Sequence, residues 1–185
     1  MKLDITLCIT PQMTKDAQGN EKKALTGHLG THFDVMDKEF PLSYTELEGY
    51  VFDAEAIRDR EITSHDIDLG KVRKGMFIAF HTHFIEDTGY GSRTYSKEHP
   101  QLSVELIDKL IEKEISILGI DFAGLRRGKE HTPTDQRLAD HGIFVIENLA
   151  SLKELCGKDG ILFHTYPMRF SGMTGLPCRV IAELG

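Results

Sequence analysis

The strongest constraint on the fold lies between residues 103 and 147, where helical and strand-like periodicities alternate. Leu106, Ile107, Leu110 and Ile111 recur on one face at helical spacing, behind Ser103 as N-cap and with Glu105 and Lys109 as an i,i+4 pair. Residues 115–121 follow as an apolar run too short for another helix, and they read as a buried strand. Thr132-Pro133 then signals a second helix, with Thr132 as cap and Pro133 at the first helical position. That helix runs to about residue 140, and His141-Gly142 closes it. Residues 143–147 are apolar again and end in Glu147. Strands that are apolar throughout need cover on both faces, so the segment predicts a sheet flanked by helices.

The rest of the chain adds strands. Leu3, Ile5, Leu7 and Ile9 alternate with Asp4, Thr6, Cys8 and Thr10, the period of a half-buried strand. Residues 11–26 are polar, contain Gly19-Asn20, and read as an exposed hairpin or loop. Extended pieces are expected at about 27–34, 50–54, 76–84, 161–168 and 178–184. No repeat or Pro/Gly/Ser linker divides the chain, so residues 1–185 read as a single α/β domain with a mixed β-sheet flanked by helices.

Composition narrows the function. Hydrophobic residues are 40% and charged residues 28%, which excludes a disordered chain. Asp plus Glu outnumber Lys plus Arg by 29 to 22, and a net charge of −7 argues against nucleic acid as a partner. Apolar runs such as 76–80 and 115–120 are too short to span a bilayer, so no membrane association is expected. No long apolar stretch follows Met1-Lys2-Leu3-Asp4, so no secretory signal is expected. Cys8, Cys156 and Cys178 are odd in number and widely spaced, which fits the reducing cytoplasm. The nine histidines point toward chemistry.

The most informative segment is His28-Leu29-Gly30-Thr31-His32-Phe33-Asp34. If extended, it presents His28, Gly30, His32 and Asp34 on one face and the apolar Leu29 and Phe33 on the other. Two imidazoles and a carboxylate form the ligand set of zinc, manganese or iron(II), and such a carboxylate can bridge two ions. Surface histidines on a strand edge would give the same spacing. Glu147, at the end of a buried strand, needs a metal, a salt bridge or a capping role, because an unpaired buried charge is costly. Asp135 lies twelve positions upstream of it, with His131 four before Asp135. His81 and His83 share a face at the end of a strand, where α/β sheets place active sites, and are also compatible with a purely structural pairing. Gly89-Tyr90-Gly91-Ser92-Arg93 lacks the features of a phosphate loop and reads as a mobile loop or lid. Arg126-Arg127-Gly128-Lys129 reads as a solvated basic turn, and His65, His99 and His164 as surface or internally satisfied histidines.

The segment His28-x-Gly30-Thr31-His32-x-Asp34 is similar to the signature of the cyclase family of metal-dependent hydrolases, which includes kynurenine formamidase and isatin hydrolase. Asp4-Ile5-Thr6-Leu7, Leu118-Gly119-Ile120-Asp121, Phe144-Val145-Ile146-Glu147-Asn148-Leu149 and Gly175-Leu176-Pro177-Cys178-Arg179 resemble its other segments in order along nearly the whole chain. The resemblance implies a swivelling β/β/α fold. It implies one or two divalent ions, zinc or manganese, on His28, His32, Asp34 and Glu147. It also implies hydrolysis of a small amide, lactam or ester through metal-activated water, and a homo-oligomer, dimer or tetramer. Asp135 stands where the family has a histidine ligand, with His131 as a possible stand-in. Met36 and Lys38 stand where the family has a proline and a proton-transferring histidine. A lysine, ordinarily near 10.4, serves as a base only if a nearby cation or burial depresses it. Otherwise Lys38 orients an anionic substrate, and His81, His83 or His131 takes the proton. The competing expectation is a non-catalytic relative that keeps the metal or another ligand.

Overall fold

The computed structural model describes residues 1–20, 23 and 27–185. Its strands are β1 (Lys2–Asp4), β2 (His32–Asp34), β3 (Glu46–Asp53), β4 (Phe77–His81), β5 (Ile117–Ile120), β6 (Phe144–Glu147), β7 (Ile161–Pro167) and β8 (Gly175–Leu184). The helices are α1 (Pro11–Asp16), α2 (Phe84–Thr88), α3 (Arg93–Glu98), α4 (Val104–Glu112) and α5 (His131–Asp140). β3, β4, β5 and β6 run parallel to one another, whereas β2 pairs antiparallel with β6 and β7 antiparallel with β3. The sheet order is β1-β8-β2-β6-β5-β4-β3-β7, and β7 pairs with β8, closing the mixed sheet into a barrel.

Closure gives the sheet an inside and an outside, and strand alternation sorts residues between them. Phe33, Val51, Phe77, Ala79, Ile117, Phe144, Ile146 and Phe163 fill the interior. Phe77 and Phe163 stack there with centroids 4.1 Å apart. Ile78, Phe80, Leu118, Ile120 and Val145 face outward, under Leu106, Ile107 and Leu110 of α4 and Leu138 of α5. The expected flanking helices therefore pack on the outer face. The consequence for the site is direct. With Phe33 and Ile146 inside, their chain neighbours His32, Asp34 and Glu147 must point outward, beneath α5.

Several local expectations are corrected. Residues 11–16, read as hairpin or loop, form a helix capped by Thr10, whose hydroxyl accepts from the Met13 N–H. A short polar helix has no apolar stripe, so periodicity misses it, although Thr10-Pro11 carries the cap-and-proline start signal. Glu21, Lys22, Ala24, Leu25 and Thr26 of that stretch lie outside the described residues. α5 begins at His131, not after Thr132, with Glu130 at the cap position. Pro133 sits within its first turn, where an N–H has no intrahelical partner to lose. The extended piece 27–34 is a strand over His32–Asp34, and the chain turns through Gly30 at φ +71°. Arg126, read as part of a solvated turn, is buried and ion-paired to Glu61 and Glu130 at 2.6 Å. No described helix is long and apolar enough to cross a membrane.

Candidate metal centre

The register of β2 against β6 sets His32 directly across from Glu147 and Asp34 across from Val145. His32 Nε2 lies 3.7 Å from both Asp34 Oδ1 and Glu147 Oε2. His28 is not on the strand, yet the turn at Gly30 returns its ring to the cluster, with Nε2 3.1 Å from Asp34 Oδ1. The Gly30 turn leaves no space for a larger residue: a Cβ there would stand 2.5 Å from Ile9 Cδ1. α5 adds the remaining groups. His131 Nε2 is 3.1 Å from Asp135 Oδ2 one turn along the helix and 3.1 Å from Glu147 Oε1. Gly124, at φ +110°, makes room for this ring, since a Cβ there would meet His131 Cε1 at 2.7 Å.

Three imidazoles and three carboxylates thus converge on one cavity of about 460 Å³. Two sets of donor atoms are each close enough to share an ion, namely His28, His32 and Asp34, and Asp34, His131 and Glu147. Asp34 belongs to both sets. Among the described residues, His32 Nε2, Asp34 Oδ2 and Asp135 Oδ1 are buried without a hydrogen-bond partner. Buried polar atoms are rarely left so, because each forfeits its hydration without replacement. A divalent cation fits these donor sets and would satisfy the buried groups of His32 and Asp34.

The charges respond to one another. Burial disfavours a charged His32, but the Asp34 and Glu147 carboxylates outweigh it and push the imidazole up to about 9. Asp34 is buried too, yet His32 and His28 hold it well below the usual carboxylate range. Hydrogen bonds to Asp135 and Glu147 push His131 up to about 11. Burial, with Asp34 and Glu147 nearby, pushes Asp135 up to about 7.

A second ring of residues holds the first. The Gly30 carbonyl lies 2.8 Å from His32 Nδ1 and also accepts from Asn148 Nδ2 at 2.8 Å. A proton on Nδ1 leaves the Nε2 lone pair facing the cluster, the usual arrangement behind a histidine ligand. Tyr95 on α3 donates to Asn148 Oδ1 at 2.5 Å, and Asn148 itself is at φ +61°. Tyr90 accepts from the Gly30 N–H at 2.9 Å and, with Gly91, lines the cavity, so the expected lid loop does reach the site. Sequence reasoning missed Tyr95 and Asn148 as supports. Asn148 had a signal, the polar residue following Glu147; Tyr95 had none.

Lys38, His81 and His83, expected as proton carriers, do not line the cavity. Met36 adopts φ +55° just after β2 and turns the chain away. Lys38 Nζ then pairs with Asp140 at 2.7 Å and Asp37 at 3.1 Å. Those contacts raise the ammonium, the opposite of what a lysine acting as base would need. His81 ends β4 beside Asp121, and His83, at φ +62°, stands near Glu86 and Asp87. His99 is buried against Phe122 and His164 pairs with Glu183, as internally satisfied histidines.

The sequence matches the family described as "Putative cyclase" over residues 3–125. No curated protein matches it at a significant level. Among solved structures, one described as a potential metal-dependent hydrolase with cyclase activity is 26% identical, with a TM-score of 0.76, covering 98% of this chain and 96% of its own. A "predicted metal-dependent hydrolase from Bacillus stearothermophilus" superposes with a TM-score of 0.72 at 23% identity, covering 98% of this chain and 97% of its own. An isatin hydrolase bound to the product analogue thioisatinate superposes with a TM-score of 0.71 at 20% identity, covering 83% of this chain and 70% of its own.

Proposed function

Because the chain belongs to the cyclase family, we propose that it is a metal-dependent hydrolase acting on a small amide, lactam or ester, with zinc or manganese as its ion. The observation that carries this reading is the pair of donor sets sharing Asp34, lined by buried polar atoms without partners. His28, His32 and Asp34 would hold one ion, and Asp34, His131 and Glu147 a second. Bound there, a divalent ion supplies Lewis acidity toward a carbonyl oxygen and acidifies water. The names of the similar structures, a metal-dependent hydrolase and an isatin hydrolase, support the reaction class.

The chain's own residues supply position and proton handling. Gly30 and Asn148 orient His32, so its Nε2 stays aimed at the site. Tyr90 and Gly91 cover the cavity from the loop side, and Lys23 and Asn20 line it. These groups would shield the reacting carbonyl from bulk solvent and give a leaving group polar partners. Asp135 takes the position of the family's histidine, while His131 comes within reach of Glu147 from the same helix. Asp135 Oδ1, which lines the cavity with no hydrogen-bond partner among the described residues, would accept a proton and pass it on. Lys38, paired with Asp37 and Asp140 outside the cavity lining, would take no part.

The test is metal content beside catalysis. Purified protein is expected to hold zinc or manganese and to cleave at least one of a panel of aryl formamides, lactams and simple esters. A chelator should remove that turnover, and Asp34→Ala should abolish activity and lower the metal content relative to the wild type. A metal content unchanged in Asp34→Ala would refute the shared-ligand site. Stoichiometric metal without turnover on any substrate would favour the non-catalytic reading, which the placement of Lys38 outside the cavity supports.

A further inference from the structure

We propose that Asp53, His81 and Cys156 form a second cation site of zinc type, separate from the cavity centre, with Glu55 as a further donor. The sheet builds the juxtaposition. β3 and β4 are parallel and in register, so Asp53 lies beside His81 where both strands end. The chain returns after β6 through a short 3₁₀ turn, Lys153–Leu155, and Cys156 forms a parallel bridge to Val51, two residues before Asp53. One donor atom from each of Asp53, His81 and Cys156 then lies within 4.8 Å of the others. Tetrahedral zinc, with bonds of roughly 2.0–2.3 Å, sets its ligand atoms roughly 3.3–3.8 Å apart, so modest rotamer changes close the set.

The observation that points to a ligand is His81 itself. Its exposure is 0%, and among the described residues neither ring nitrogen has a hydrogen-bond partner. Nδ1 stands 3.3 Å from Asp121 Oδ2, and Nε2 faces the other way, 3.6 Å from Glu55 Oε2. The Asp121 carboxylate is anchored by the Thr82 and His83 N–H groups and the Thr82 hydroxyl. An anchored carboxylate on one ring nitrogen, with the other directed into a donor cluster, is how proteins present histidine to zinc. A His, Cys and carboxylate set selects zinc or a similarly thiophilic ion over magnesium or calcium. Lys153, exposed and paired with Glu55 and near Asp53 at 3.7 Å, supplies positive charge there and can swing aside on its flexible stem. Binding releases the Cys156 thiol proton to solvent, leaving thiolate on the ion.

Cobalt(II) titration of the full chain, read by absorption, tests this. Only a thiolate ligand gives cobalt an intense near-ultraviolet charge-transfer band, and neither donor set of the cavity centre contains a cysteine. The band is expected in the wild type, retained in Asp34→Ala, and lost in Cys156→Ser. Zinc should displace cobalt and bleach it. Asp53→Asn, at an exposed position, should weaken cobalt binding at this band without touching the buried histidine. Absence of the band in wild type, or its persistence in Cys156→Ser, would overturn the proposal. In that case His81 is a buried imidazole held between Asp121 and Glu55 by charge alone. Because the band reports thiolate ligation, this outcome is independent of whether the cavity centre binds metal or catalyses hydrolysis.

Discussion

Tyr95→Phe removes one oxygen from a buried chain of contacts and leaves every proposed metal ligand in place. The Tyr95 hydroxyl donates to Asn148 Oδ1 at 2.5 Å, Asn148 Nδ2 donates to the Gly30 carbonyl at 2.8 Å, and that carbonyl lies 2.8 Å from His32 Nδ1. Burial pushes the Tyr95 phenol well above its ordinary value, so the oxygen keeps the proton it donates. The phenylalanine ring fills the same space, and the loss is confined to the hydrogen bond. Asn148 Oδ1 is then buried and unpaired, at a cost of about 1–3 kcal/mol. For a chain of this size, about 2 kcal/mol corresponds to a Tm lower by roughly 4–8 °C. The freed amide can also rotate away from Gly30, loosening the tautomer and orientation of His32. Supports of this kind change metal affinity by about 10–100-fold. The assay pairs thermal unfolding of the chelated protein with competition titration of zinc against a chromophoric chelator. Both readouts should fall. An unchanged Tm together with unchanged zinc affinity would refute the reasoning that this relay orients the site.

Other outcomes follow from the same geometry. Gly124→Ala places a Cβ 2.7 Å from His131 Cε1 at φ +110°, so competition titration should show metal affinity about 10–100-fold weaker, as when a ligand's support is lost. Lys38→Ala should leave turnover unchanged on any substrate the wild type cleaves, since Lys38 is tied to Asp140 and Asp37 outside the cavity. The pH dependence should reverse on metal loading. His32 is raised from 6.5 to about 9, so its contribution to the metal-free fold is full below 6.5 and lost as pH rises through 9. Asp135, raised to about 7, works in the same direction between its unfolded value and 7, because the unfolded state ionises first. Denaturant titrations of metal-free protein should therefore show stability falling as pH rises from 6.5 toward 9. In the same window metal affinity should rise, because binding requires the imidazoles to lose their protons. Metal-free stability that climbs across this range would contradict the charge assignment.

The amphipathic stripe Leu106, Ile107, Leu110 and Ile111 and the apolar runs around 117–120 and 144–147 mark their own elements, because periodicity is local and each residue's face follows from its neighbours. His32, Phe33 and Asp34 likewise declare that two candidate ligands oppose an apolar anchor, and the anchor does enter the barrel. What the sequence could not specify is which strand would lie beside β2. Pairing His32 with Glu147 joins positions 115 residues apart, and only closure of the whole sheet decides it. The Gly30 turn is equally tertiary: His28 reaches Asp34 because the chain leaves the extended state, not because it keeps the alternation. The histidine doublet at the end of β4 looked like part of the same chemistry. Its parallel pairing with β3 instead sets His81 beside Asp53, away from the cavity lining. Lys38 sits close to Asp34 in sequence, yet a left-handed Met36 turns it toward Asp140. Sequence by itself determined the strongly periodic elements, their buried faces and the kinds of donor atom available. The tertiary structure decided which donors meet, since bringing distant segments together is governed by sheet closure and packing of the entire chain rather than by any local preference.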